Sequence, residues 1–482
     1  MRKIMNFVNG DYIKPENDGK YPVYNPAFGE IIAEVSEAKR EDVNMAIDLA
    51  HDAYVKWSHI PVVERIKYLF KLENLMWENL NELAEITTNE HGKTFEESKG
   101  DVIRAIQNVE SAAAATYHIM GNSNKEIANG IDEELIREPI GVFAIISPFN
   151  FPLMIPYWFM PYAIALGNTV IIKPSEKTPM SMEKSMELIK KTGIPPNVVQ
   201  LINGGKEAVD YILENKKVVG ISFVGSTPVA DYVYKKGTSM KKRVQAGASA
   251  KNFILVMPDA DIEKNMKNII SSFFGNAGER CLAGAVLVTF KENHDKVLKE
   301  FVREASNLRI GYGMDNDVDM GPLIREEHKK KVIEYIDSGL NEGAKIILDG
   351  RGYKNTKYPK GFFLGPTVFD SVTEDMKIAK EEIFGPVASV VTVNNFDEAL
   401  EIINKSRYGN ASSIYTTSGK YAREYVMSVK AGNVGVNIGV AAPIAFYPFA
   451  GMKDSFFGDL HPQGGLDHIL FFTDSKVVIS RF

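Results

Sequence analysis

The chain has 482 residues, 45% of them hydrophobic and 24% charged, which exceeds one ordinary domain and supplies ample core, so two or three lobes are expected. A formal charge of −6, with no basic run longer than pieces such as Lys241, Lys242 and Arg243, speaks against a nucleic-acid partner. No segment offers about 20 uninterrupted apolar residues, which speaks against a membrane span.

The N-terminal stretch MRKIMNFVNGDYIKPEN lacks an apolar core of signal-peptide length, and the expected location is the cytoplasm, where a thiol stays reduced. From about 40 to 120, apolar residues recur at helical spacing, through REDVNMAIDLAHDAYVKW and again through ERIKYLFKLENLMWENLNELAEI. The following GNSNKEIANGIDEELIREPIG reads as a β-hairpin. From Gly141 short β-rich runs alternate with helical stretches: GVFAIIS, TVIIKPS, VVQLING and VVGISFVGS. Such alternation indicates parallel strands with helical crossovers, an α/β fold. A second alternating series starts near KNFILVMPDADIEKNMKNII and runs through CLAGAVLVTF, AKIILDG and PVASVVTV. The C-terminal LDHILFFTDSKVVISRF ends in a predicted strand. The hairpin and this last strand fit neither lobe, and exposed strands of that kind suit subunit contacts, so a homo-oligomer, dimer or tetramer, is expected.

The one cysteine, Cys281, lies in FFGNAGERCLAGAVLV, in a Gly/Ala-rich bend beside Arg280. A lone thiol forms no internal disulfide. Only the thiolate attacks carbonyls, and an unperturbed thiol is a few per cent ionised at neutral pH, so a neighbouring cation matters. The competing reading is a small buried hydrophobe. The eight histidines are scattered, with no HxxxH pair and no cysteine cluster, so no metal site is expected.

Three elements suit a nucleotide. A β-rich run ends in Gly225, Ser226 and Thr227 and opens into a helix, where free backbone N–H groups bind phosphate; an ordinary capped crossover would look the same. The run TVIIKPSEKTP carries Lys173 and Glu176 off the carboxyl edge of a sheet. A carboxylate there binds ribose hydroxyls and repels a 2′-phosphate, favouring NAD over NADP. In KEEIFGPVASVV, Glu382 and Phe384 precede a Gly-Pro turn, suiting a second ribose and the nicotinamide.

Taken together, PFNFP at 148–152, KPSE at 173–176, GST at 225–227, the Cys281 bend and EEIFGPV at 381–387 resemble the aldehyde dehydrogenase superfamily, in matching order over nearly the whole chain. The resemblance implies a Rossmann-like NAD-binding domain (1–120 and 139–247), a second α/β catalytic domain (248–435) and an oligomerisation arm (121–138 and 462–482). It implies that Cys281 attacks an aldehyde while Asn150 and the backbone N–H of Cys281 stabilise the oxyanion. Ser147, Phe149, Lys173, Glu176, Lys177, Gly225, Ser226, Glu382 and Phe384 would hold NAD.

The family pattern also supplies a glutamate in an ELGGK-like segment that activates the deacylating water. Here the segment reads VQAGASAKNF, and aligning Lys251 with the motif lysine puts Gly247 in the glutamate's place. General-base help is worth roughly a hundred- to ten-thousand-fold, so a thioester facing only water turns over slowly. A thiol such as coenzyme A would release it without that glutamate. The absence is similar to the CoA-acylating, methylmalonate-semialdehyde dehydrogenase branch, as are GERC at 278–281, the GDVIRAIQNVE helix and the tail FYPFAGMKDSFFGDLH at 446–461. By that resemblance Arg104 and Arg280 clamp a substrate carboxylate, a role for which a guanidinium fork is suited. Glu279 sits beside Arg280; pointing into the pocket, it would weaken carboxylate binding and raise the thiol pKa.

The expected reaction is NAD-dependent oxidation of malonate or methylmalonate semialdehyde to acetyl- or propionyl-CoA with loss of carbon dioxide. One alternative is a hydrolytic semialdehyde dehydrogenase that recruits another base, such as Glu382 through a water. The other is a non-catalytic nucleotide-binding protein with the same fold.

Overall fold

Two largely parallel sheets organise the chain in a computed structural model that describes residues 2–13 and 20–482. The N-terminal stretch 1–17 that lacked a signal-peptide core lies in part outside the described residues. The first sheet has eight strands, in the order Phe456–Phe457, Arg243–Gly247, Val218–Val224, Val142–Ile146, Thr169–Lys173, Val199–Leu201, Asn6–Val8 and Asp11–Ile13. The five inner ones, from Arg243–Gly247 to Val199–Leu201, run parallel. Val142–Ile146 and Thr169–Lys173 are buried at every position, which is why they read as continuous apolar runs rather than alternating ones.

The second sheet orders its seven strands as Lys345–Leu348, Thr367–Asp370, Val387–Val393, Gly284–Phe290, Asn252–Val256, Ala411–Tyr415 and Asn433–Val436. All neighbours are parallel except at one edge. There Lys345–Leu348, expected as a member of the parallel series, pairs antiparallel with Thr367–Asp370.

The helical region consists of Arg40–Trp57, Val62–Glu78, Leu80–His91, Phe95–Ala113 and the short Ala115–His118. The helix Phe95–Ala113 starts at a capping box: Thr94 Oγ1 accepts from the Glu97 N–H, and the Glu97 carboxylate accepts from the Thr94 N–H. Val102, Ala105, Ile106 and Val109 bury one face in the core beneath the first sheet. Glu97, Asp101 and Arg104 fall at i, i+4 and i+7, so they share another face.

The C-terminal strand Thr473–Arg481 pairs antiparallel along its length with Ile131–Pro139, which pairs in turn with Asn122–Ala128. Val477 and Ile479 on this three-stranded sheet are exposed. The small sheet of Arg2–Lys3, Glu30–Val35 and Tyr21–Asn25 and the strand pair Asn6–Val8 and Asp11–Ile13 were not anticipated. Strands of two to six residues carry too few alternations to register as a pattern.

Candidate active site

Along the first sheet the parallel strands beginning at residues 243, 218, 142, 169 and 199 lie in that order. The chain therefore reverses its direction of travel beside Val142–Ile146, between it and Val218–Val224. Ligands of open α/β sheets bind outside the carboxyl ends of the strands at such a switch point. The residues leaving those two strands are Ser147–Asn150 and Gly225–Thr227. Against them stand the amino ends of second-sheet strands, with Cys281 three residues before Gly284–Phe290, Asn252 opening its own strand, Asn410 preceding Ala411–Tyr415, and Glu382 preceding Val387–Val393.

The turn that presents Cys281 is tightly built. Asn276 and Ala277 adopt left-handed backbone (φ 55° and 51°), which costs roughly 1–2 kcal/mol per residue. Gly278 follows at φ 74°, and a Cβ there would stand 2.3 Å from the carbonyl oxygen of Gly385. The Cys281 turn thus lies directly against the loop that carries Glu382 and Phe384. Glu97 Oε1 accepts from the Asn276 N–H (2.6 Å) and from the Arg280 guanidinium (3.2 Å). The carbonyl oxygen of Cys281 accepts from two side-chain amides, Asn252 (2.8 Å) and Asn410 (2.9 Å). Asn150 Nδ2 donates to the Glu279 carbonyl at 3.1 Å, which leaves its second hydrogen for another acceptor.

Burial pushes the Cys281 thiol up to about 12; Glu382 adds to the rise and Arg280 opposes it. The expected help from a neighbouring cation is present but outweighed by burial, and the Arg280 guanidinium is itself paired with Glu97. The resting Cys281 side chain is therefore a neutral thiol. Lys251 and Glu382 share a cavity with Cys281 and Arg280. Burial lowers the Lys251 ammonium to about 7, its Nζ has no hydrogen-bond partner, and Glu382 Oε1 accepts from the Ala250 N–H at 2.9 Å.

Glu279 is fully buried and turned away from Arg280. Its Oε1 accepts from the Ile324 N–H (3.2 Å) and lies 3.5 Å from His328 Nε2; its Oε2 lies 3.9 Å from His91 Nε2. Burial pushes this carboxyl up to about 8 and His328 down to about 4, and holds His91 well below its ordinary value. The acid beside Arg280 is therefore no competitor for a bound carboxylate. His328 Nε2 also bonds the Phe384 carbonyl at 2.6 Å, fixing Phe384 in its left-handed conformation (φ 57°).

The sequence-predicted cofactor residues converge at the switch point. The Ser147 hydroxyl is buried without a partner, and a polar ligand would satisfy it. Lys173 Nζ donates to the Gly204 carbonyl (2.8 Å) and lies 3.8 Å from the half-buried Glu176. Lys177 Nζ stands 4.7 Å over the Phe149 ring, whose edge-on neighbour is Phe384 at 5.8 Å. At the Gly-Ser-Thr turn two of the N–H groups expected to be free are engaged. Gly225 donates to the Gly247 carbonyl (3.0 Å) and Thr227 to Ser249 Oγ (3.2 Å), while Pro228 has no N–H to offer. Ser226 sits at the helix start, exposed.

On its other side Cys281 lines a small apolar cavity with Gly247, Val224, Trp158, Asn410, Phe449 and Phe456. The tail 446–461 reaches this wall because Phe456 and Phe457 pair antiparallel with Gly247 and Ala246. A Cβ at Gly247 would meet nothing closer than Val224 Cγ2 at 3.4 Å, and its φ is not left-handed. Neither sterics nor backbone demands glycine there, yet no carboxylate side chain projects from that position.

Arg104 is half-buried, with Nη1 donating to Gln107 Oε1 (3.2 Å). Arg280 is tied to Glu97, two helical turns before Arg104 on one helix, roughly 10 Å along its axis.

Sequence reasoning missed Asn252, Asn410, Glu97 and the buried pair Lys93 and Asp101. Asn252 and Asn410 are small amides next to strand starts, far apart in the chain, and only the sheet brings both to one carbonyl. Among the described residues no group of three or more His, Cys, Asp or Glu could hold a metal ion, and no helix is long and apolar enough to cross a membrane.

Residues 12–478 match the aldehyde dehydrogenase family. The chain is 46% identical over 482 residues to a malonate-semialdehyde dehydrogenase of Bacillus pumilus (strain SAFR-032), covering 100% of this chain and 99% of the relative. It is 43% identical to malonate-semialdehyde dehydrogenase 2 of Oceanobacillus iheyensis, covering 100% and 99%. A structure of a putative methylmalonate-semialdehyde dehydrogenase from Sinorhizobium meliloti 1021, complexed with NAD, superimposes with a TM-score of 0.98 at 39% identity, covering 100% of this chain and 98% of that one. A methylmalonate-semialdehyde dehydrogenase from Oceanimonas doudoroffii gives 0.98 at 38% identity, covering 100% and 99%. The chain belongs to the aldehyde dehydrogenase family.

Proposed function

We propose that this enzyme oxidises malonate or methylmalonate semialdehyde with NAD and passes the acyl group to coenzyme A, giving acetyl-CoA or propionyl-CoA and carbon dioxide. The observation that carries the acyl transfer is Gly247: the cavity wall beside Cys281 has room for a side chain and carries none. The similarity to semialdehyde dehydrogenases supports the substrate class.

Cys281 Sγ gives its proton to a base of the shared cavity, Lys251 or Glu382, and attacks the aldehyde carbon, and the developing oxyanion faces Asn150 Nδ2 and the Cys281 N–H. Losing one such donor typically costs about 3 kcal/mol of transition-state stabilisation. Asn252 and Asn410, by holding the Cys281 carbonyl, fix the peptide that follows the nucleophile. When bound, NAD would supply the acceptor for the hydride that leaves the tetrahedral adduct. The residues present fit it: the partnerless Ser147 hydroxyl, Lys173 and Glu176 for one ribose, Glu382 for the other, Ser226 for phosphate, and Phe149, Lys177 and Phe384 around the nicotinamide. The thioester left on Cys281 meets no glutamate at 247, so the thiol of coenzyme A displaces Sγ. The carboxylate β to the thioester carbonyl can leave as carbon dioxide because that carbonyl accepts the electron pair as an enolate, whose α-carbon then takes a proton from solvent to give the acetyl or propionyl thioester. Arg104 and Arg280 bind the substrate carboxylate.

In the same reading, residues 1–120 with 139–247 form the NAD-binding domain, 248–435 the catalytic domain, and 121–138 with 462–482 the arm of a cytoplasmic dimer or tetramer. The exposed Val477 and Ile479 on that arm support a contact with a second copy. Mass analysis of the product from each semialdehyde, with NAD and coenzyme A, tests the function: the acyl-CoA thioester is expected, and the free dicarboxylic acid at equal yield would overturn it.

A further inference from the structure

The helix Phe95–Ala113 and the turn before it hold a charge pair that the chemistry above does not use. Lys93 and Asp101 are both fully buried, with Nζ and Oδ2 3.2 Å apart. Burial of two charges is unfavourable unless each is paired and further hydrogen-bonded, so what the pair bonds besides itself is informative. Lys93 Nζ donates to the backbone carbonyl of Asn150 at 2.6 Å and stands 4.0 Å over the Phe151 ring. Asp101 Oδ1 accepts from the Met154 N–H at 2.7 Å. One ammonium and one carboxylate therefore clamp the two ends of the segment 150–154. Between them the Asn150 side chain is held by a single bond, Nδ2 to the Glu279 carbonyl at 3.1 Å.

We infer that Lys93 and Asp101 are positioning residues for the oxyanion site, acting through the main chain of Asn150 rather than by touching substrate. The inference rests on the oxyanion role of Asn150 proposed above. It follows from the geometry of the donor: the direction of Asn150 Nδ2 is set by its backbone, and that backbone is fixed at the carbonyl by Lys93. A preorganised donor is effective only when held at the place where charge develops, and a displacement of about 1 Å can cost about 100-fold in rate. The same helix, through Glu97, holds the Cys281 turn, so one rigid element sets both donor and nucleophile in a common frame.

The test is the rate of the first-turnover NADH burst with semialdehyde and NAD, measured for Lys93→Met in the parent and in an Asn150→Ala background. The expected result is a loss of about tenfold or more in the parent and less than about twofold in Asn150→Ala, with the NAD Kd unchanged within about twofold. Equal losses in both backgrounds, or none in the parent, overturn the inference. Asn150→Ala with a full burst rate overturns the oxyanion reading itself, and the positioning role with it. Should Lys93→Met leave Asp101 uncompensated and fail to fold, the neutral double variant Lys93→Met/Asp101→Asn carries the same comparison, because the amide oxygen it introduces can still accept from the Met154 N–H.

Discussion

Glu97 holds the guanidinium of Arg280 at 3.2 Å while its other oxygen closes the capping box with Thr94. A semialdehyde carboxylate arriving at Arg280 meets a cation that is already partly neutralised. Glu97→Gln removes the charge and keeps one acceptor oxygen, enough for the Asn276 N–H or the Thr94 N–H but not for both. KM for a semialdehyde acid should fall about threefold, the scale of a partly exposed ion pair, with KM for a neutral aldehyde of similar size unchanged. A rise in KM for the acid would contradict this.

Arg104→Leu should act in the opposite sense. Removing a charge-assisted partner of the carboxylate raises KM for the semialdehyde acid by about tenfold or more. The neutral aldehyde is again the control, and equal effects on both substrates would place Arg104 outside the site.

Glu176 is half-buried, 3.8 Å from the Lys173 ammonium, where a ribose carboxylate contact would also repel a 2′-phosphate. Glu176→Gln should narrow the preference for NAD over NADP in kcat/KM by about tenfold. An unchanged ratio would contradict the assignment.

The buried Glu279 carboxyl makes a pH prediction. Its folded value, about 8, lies above its ordinary value of 4.5 because burial disfavours the charged form. Its contribution to stability is therefore complete below about pH 4.5 and is lost as pH rises through about 8. His91, His328 and Lys251, all lowered by burial, trend the other way but are common to parent and variant. The melting temperature of Glu279→Gln should match the parent near pH 4.5 and exceed it by several degrees at about pH 8. A constant difference across that range would show that Glu279 is ionised in the fold.

Much of the site was legible because its motifs sit at strand ends, and strand ends are marked in the sequence by the change from apolar run to Gly, Pro, Ser and charge. Glu176 and Glu382 were picked out that way, Cys281 as the one thiol in a Gly/Ala-rich bend, and Asn150 through the family resemblance. Arg280 shows where such reading stops: its place beside Cys281 was visible, but its partner Glu97 lies 183 positions away, on a helix whose charged face looks solvated. The same holds for Lys93, one lysine among many in the sequence and buried completely in the fold. Of the free N–H groups expected at Gly225, Ser226 and Thr227 two are engaged for a related reason, since the neighbouring strand end at Gly247 takes one and Ser249 the other.

Release of the acyl group from Cys281 by a thiol, and not by water, is what every later step depends on. Stopped-flow NADH formation at saturating semialdehyde and NAD tests it most directly, with and without coenzyme A, in the parent and in Gly247→Glu. Without coenzyme A the parent should give a burst of one NADH per active site followed by turnover slowed about 100-fold or more, and Gly247→Glu should recover part of that turnover. Steady NADH formation at full rate by the parent in the absence of coenzyme A would contradict the account.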